Sequence, residues 1–169
     1  MKSYEFVTEV LDTQAGPKAK WDTRYPEMID LKFTASNGQH YQLDFVEPSI
    51  GPDEMSPYTF FDKMSDQAYD RSRYVSFSLV ENPNNWFKQT EKHGIEGTGA
   101  AAEVFGIVTN GIITYARRYR PSMLYFQGAE PSRQRLYARI VPRIAQSLPG
   151  WAYRQDGQHF ALYNTSYFR

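Results

Sequence analysis

Two long amphipathic helical stretches, separated by one short apolar run, constrain this chain more than any other feature. Ala101, Val104, Phe105, Val108, Ile112, Tyr115 and Tyr119 recur at three- and four-residue spacing and so share one helical stripe. Arg117, Arg118 and Arg120 close that stretch, where the helix dipole favours cations, and Pro121 stops it. Met123–Gln127 then reads as a short strand. Glu130-Pro131-Ser132 opens a second helix, predicted to bury Leu136, Tyr137, Ile140, Val141, Ile144 and Leu148. Pro131 suits a first turn, Pro142 is expected to kink the helix, and Pro149-Gly150 ends it.

Upstream the period changes from helical to two. Ile29–Thr34 and Tyr41–Phe45 alternate apolar and polar residues around Ser36-Asn37-Gly38, whose Asn-Gly step tolerates the positive φ of a tight turn. Tyr74–Val80 alternates again and ends at the Pro83-bearing, asparagine-rich segment from Glu81 to Asn85. Trp151–Tyr153 and His159–Tyr163 are predicted to form a last hairpin around Gln155-Asp156-Gly157. Residues 1–13 fit a short helix or a strand, and 58–72 contain a short helix. Gln14–Pro26 reads as a loop anchored by Trp21, and Pro48–Pro57 as a proline-bearing loop. The order of strands, glycine loop, helix, strand, helix and strands predicts a single α/β domain over residues 1–169.

With no cysteine, the chain has no disulfide, thiolate metal site or cysteine nucleophile, which fits a reducing compartment and a cytoplasmic location. No apolar run approaches the roughly 18 residues that cross a membrane, and the amphiphilic start does not read as a signal peptide. His40, His93 and His159 are too scattered for ligand spacing, so no metal is expected. The zero net charge hides an asymmetry. Residues 1–90 carry 9 Lys/Arg against 14 Asp/Glu, whereas residues 91–169 carry 10 against 5. That basic half suits an anionic ligand, and it equally suits two halves that neutralise each other on folding.

Between the strand at Tyr74–Val80 and the first long helix lies Gly94-Ile95-Glu96-Gly97-Thr98-Gly99, followed by Ala100. A glycine-rich turn feeding a helix lets backbone N–H groups approach a phosphate. Together with the Leu136-Tyr137 pair early in the second helix, and the Gly150-Trp151 step after it, this pattern resembles the GNAT acyl-CoA N-acyltransferase superfamily over roughly residues 74–163. The chain is also similar to small phage-encoded proteins with a like glycine loop, helix and Glu130-Pro131-Ser132-Arg133 segment. The resemblance implies a GNAT-like, mixed and mostly antiparallel sheet flanked by helices. It implies acetyl-CoA or another acyl-CoA as cofactor, held by Gly94, Ile95, Glu96, Gly97, Thr98, Gly99, Ala100 and Glu130. Tyr137 is then the acid that protonates the departing thiolate, and a backbone N–H near Phe77–Val80 stabilises the oxyanion.

Three departures mark the pattern. Gly94 stands where the family carries Gln or Arg, Glu130 where it commonly carries Asn, and Gly150 follows Tyr137 by 13 residues where about four are usual. The base that accepts the amine proton is open among Glu81, Glu91, His93 and Glu96, and Tyr137 fits a core position as well as an acid. Arg135, Arg139 and Arg143, at four-residue steps, make a basic stripe that suits a solvated face or an anion surface. Two function classes follow: acyl transfer to an amine of a protein or small molecule, or a non-catalytic phage-type inhibitor or virion-associated binding protein on the same scaffold. Nucleic acid is a third partner class, without a motif of its own.

Overall fold

The computed structural model of the protein describes residues 19–52, 56–80 and 101–168. Their seven strands form one sheet: β1 (Ala19–Tyr25), β2 (Met28–Thr34), β3 (His40–Val46), β4 (Arg73–Leu79), β5 (Met123–Gln127), β6 (Trp151–Asp156) and β7 (His159–Asn164). The spatial order is β1-β2-β3-β4-β5-β7-β6. Every neighbouring pair is antiparallel except β4 and β5, which are parallel. A parallel pair needs a crossover, and the chain between them contains the helix α2 (Ala101–Tyr119). The other helices are α1 (Asp66–Asp70) and α3 (Pro131–Ser147), the latter between β5 and β6. The predicted mixed, mostly antiparallel α/β sheet is therefore observed.

The β2–β3 hairpin forms where Asn37-Gly38 placed it. Gly38 has φ +82°, its N–H donates to the Ala35 carbonyl, and the Asn37 side chain accepts from Gln39 N–H at 3.1 Å. Glu103, in the first turn of α2, accepts from Ser36 N–H at 3.0 Å and from its hydroxyl at 2.5 Å, fixing the turn to the helix.

Alternation puts Leu31, Leu43, Phe45, Phe77, Leu124, Phe126, Phe160 and Leu162 on one face of the sheet, and both long helices pack there. The stripe of α2 is rotated slightly from its predicted position. Ile107, Gly111 and Ala116 join Val104, Val108, Ile112 and Tyr115 in burial, while Phe105 and Tyr119 are half-buried. A Cβ on Gly111 would stand 2.8 Å from Leu31 Cδ2, so the missing side chain sets how closely α2 approaches β2. A second apolar cluster on the other face joins Phe60, Tyr74, Met123, Tyr125 and Ala161, flanked by Phe61, Tyr163 and Phe168.

The predicted loop Gln14–Pro26 is corrected over its described part. Ala19–Tyr25 is an edge strand paired with β2, and Trp21 stacks on Phe45 at 6.1 Å. The segment lacks clean alternation because it is mostly solvent-exposed from Thr23 onward, with Ala19 its one buried residue. Pro48–Ile50 and Pro57–Thr59 form single 3₁₀ turns within the proline-bearing loop. The second helix runs through Pro142 to Ser147; the backbone acceptor deprived of a partner is that of exposed Ala138, where water can serve. The glycine loop and residues 1–13 lie outside the described residues.

Candidate functional site

The N-terminal end of α2 and one face of α3 enclose a groove of about 460 Å³. From α2 come Ala101, Ala102 and Phe105; from α3 come Ser132, Leu136 and the three arginines Arg135, Arg139 and Arg143. The basic stripe read from four-residue spacing thus lines a concavity rather than an open helix face. The Arg143 guanidinium lies 5.4 Å from the centre of the Phe105 ring, so part of the groove is cationic and part aromatic. Gly94, Ile95, Glu96, Gly97, Thr98, Gly99 and Ala100 lie outside the described residues and lead in sequence directly into Ala101, at this groove. The candidate bases Glu81, Glu91, His93 and Glu96 also fall outside them.

Glu130 is the residue before the first turn of α3 and makes no side-chain cap. Its carboxylate instead pairs with Arg133 at 3.0 Å, and the Arg133 side chain is almost completely buried. Glu130 is therefore engaged by its own helix, and it is not among the residues lining the groove. Arg133 was not singled out in the sequence; its place one turn before Tyr137 on the buried face is the signal that exposes it.

Tyr137 lies in the core, 1% exposed, with the rings of Phe126 and Phe160 at 5.1 and 6.0 Å. Burial pushes its hydroxyl far above the ordinary tyrosine range, and the nearby Arg133 charge and a hydrogen bond from the Phe77 backbone N–H pull the other way. The hydroxyl is thus a neutral donor at physiological pH. Its approach to Phe77 has a topological cause. The parallel ladder joins Arg73–Val75 to Leu124–Phe126 and then ends, whereas β4 continues to Leu79 paired with β3. After Val75 the edge of β4 that faced β5 has no strand partner among the described residues, and Tyr137 of α3 reaches into that position.

The opposite face of the sheet holds an unusual polar row. Asp22, Asp30, Asp44 and Ser76 stand opposite one another across β1, β2, β3 and β4. Asp30 and Asp44 are buried, Asp44 to 1% exposure. Burial pushes Asp44 up to about 8 and raises Asp30 as well, the neighbouring Asp30 carboxyl adding to the rise at Asp44; Asp44 Oδ2 and Asp30 Oδ1 are both buried without a hydrogen-bond partner among the described residues. Gln42 Nε2 donates to Asp44 at 2.5 Å, and Lys32 Nζ lies 3.9 Å from Asp30. Half-buried Asp22 behaves oppositely: its fork with Arg24, closing to 2.6 Å, holds it down at about 2. Neither buried carboxyl was flagged in the sequence, where the Asn-Gly step signals a hairpin without fixing the register that sets Asp30 against Asp44.

Elsewhere His40 Nδ1 bonds Thr34 Oγ1 at 2.8 Å, and no group of residues able to hold a metal ion occurs among the described residues. No helix among them is long and apolar enough to cross a membrane. No protein-family model matches the chain, and a search of curated proteins finds no match.

Proposed function

We propose that the chain is a GNAT-like acyl-CoA-binding domain that transfers an acyl group to an amine. The observation that carries this reading is the interrupted β4–β5 ladder: a parallel pair that ends after three residue pairs, with the Tyr137 hydroxyl at the Phe77 amide beside the break. Backbone N–H groups released by such a break are preorganised donors for an acyl oxygen, and a neutral tyrosine hydroxyl is a proton donor for a leaving sulfur. The groove at the start of α2 supports the same reading, since Arg135, Arg139 and Arg143 supply three cations for phosphates and its Ala101 directly follows the glycine-rich segment in sequence.

In this reading the acyl-CoA would supply the activated acyl group, and the chain's own residues do the rest. The arginines hold the phosphate-bearing end, the free edge of β4 orients the reacting carbonyl, and Tyr137 keeps a proton next to it. Burial of Tyr137 to 1% exposure favours a second reading, in which the groove binds its ligand without turnover and the tyrosine serves the core.

Calorimetric titration with acetyl-CoA, followed by thiol release in the presence of a panel of primary amines, tests both. Saturable binding with thiol release supports transfer; saturable binding without release supports the scaffold. Absence of heat at high micromolar acetyl-CoA removes both. Arg139→Glu with Arg143→Glu should weaken binding by at least tenfold and flatten its salt dependence.

A further inference from the structure

A second cavity, of about 190 Å³, lies at the other end of α2, lined by Ile29, Arg71, Arg73, Tyr115 and Tyr119 between Pro26 and Pro121. The ten residues from Phe105 to Tyr115, at about 1.5 Å each, hold the nearest α2 residues of the two sites about 15 Å apart along the helix, so the two are separate sites. Both guanidinium groups are locked in place by backbone carbonyls. Arg71 Nη2 donates to the Tyr119 and Arg120 carbonyls at 3.0 and 2.9 Å, capping the end of α2. Arg73 Nη1 donates to the Asp70 and Ser72 carbonyls, each at 2.7 Å.

Those bonds leave a conspicuous remainder. The Nε of Arg71 and the Nε of Arg73 are both buried without an acceptor. A buried donor on a charged group that lacks its acceptor is costly, and two such donors belong to the arginines that line this one cavity, which favours a guest that supplies acceptors. Among the described residues one carboxylate pairs with these two guanidinium groups: Glu47 approaches Arg73 Nη2 at 3.7 Å. The carbonyls that end α2 would repel an anion, but Arg71 already covers two of them. Tyr115 and Tyr119, 4.7 Å apart, give the cavity an aromatic wall.

We propose that this cavity binds a small oxyanion, a carboxylate or phosphate group, between Arg71 and Arg73. Water alone would supply acceptors but no charge; an oxyanion supplies both, and planar guanidinium donors match its geometry.

The test follows the side-chain Nε–H resonances of the ¹⁵N-labelled full chain during titration with inorganic phosphate and, separately, with benzoate, at constant ionic strength set with chloride. The expected result is a saturable shift of the Arg71 and Arg73 signals, with Arg154, which is bonded to the Phe60 carbonyl on the other side of the sheet, unmoved. Whichever anion saturates at the lower concentration identifies the group the site takes. Arg73→Lys keeps the charge but loses the planar donors, and should raise the saturating concentration at least tenfold. Signals that stay still, or that drift together with Arg154 without saturating, would leave a water-filled cavity and overturn the proposal. The wild-type titration decides this even if the variant does not fold.

Discussion

The buried Asp30–Asp44 pair makes stability depend on pH in a direction opposite to that of ordinary carboxylates. An aspartate in the unfolded chain ionises near 3.9, whereas burial holds Asp44 at about 8. A group whose folded value is raised contributes fully below the unfolded value, and its contribution is lost as pH climbs toward the folded one. Between roughly pH 4 and 8 the unfolded state has released this proton and the folded state retains it. Each pH unit in that window therefore costs up to about 1.4 kcal/mol. Asp22, held down by Arg24, acts only below the window and does not cancel the trend. Urea unfolding followed by circular dichroism at pH 5, 6, 7 and 8 measures the slope. Asp44→Asn replaces the protonated acid by a neutral amide of the same size, so the variant should lose most of the slope and overtake the wild type near pH 8. A wild-type midpoint that stays level or rises across the window, or an Asp44→Asn protein with the same slope, would refute the retained proton.

Three further substitutions probe particular contacts. Gly128→Ala would bring a Cβ to 2.9 Å from the Gln134 backbone N and Cα at the start of α3, so a loss of about 1–3 kcal/mol is expected in urea unfolding. Gly38→Ala meets no neighbour within 4 Å, yet the φ of +82° penalises it by about 1 kcal/mol, visible as a lowered Tm with unchanged acetyl-CoA binding. Tyr137→Phe keeps both ring contacts but removes the hydroxyl from the Phe77 amide; stability should fall by about 1 kcal/mol. If acyl transfer is detected, this variant should keep acetyl-CoA affinity and lose turnover by tenfold or more.

Local signals explain what could be read from the residues. Asn37-Gly38 fixed a hairpin because a two-residue steric preference decides it, and Met123–Gln127 stood out between two helical stripes. Period-two alternation in β2 and β3 identified the strands but assigned Asp30 and Asp44 no special environment. Alternation tells which residues share a face, not whether that face is later covered. The same limit applies to β1, whose Trp21 is secured by Phe45 of β3, two strands away, rather than by anything in its own pattern. Arg71 carries no local signal in the sequence; its role depends on the carbonyls of Tyr119 and Arg120, 48 and 49 residues away. The Tyr137–Phe77 contact is likewise tertiary. The Leu136-Tyr137 pair pointed to the right helix, but only the end of the β4–β5 ladder explains what the hydroxyl reaches.

That short parallel ladder has a mechanical consequence. On one side of it β1 to β4 are neighbours in space as they are in the chain; on the other, β5 to β7 lie within about forty residues of one another. Each block can zip up from nearby segments, while the seam between them waits for a crossover of more than forty residues to close. The seam should therefore be the last part to assemble and the first to breathe, opening as a unit well before either block unravels. Amide exchange at Val75 and Tyr125 would then run ahead of that at Leu43 and Leu162. Tyr137 sits on this fault line, so the same opening that relieves the sheet would give its buried hydroxyl intermittent access to a guest.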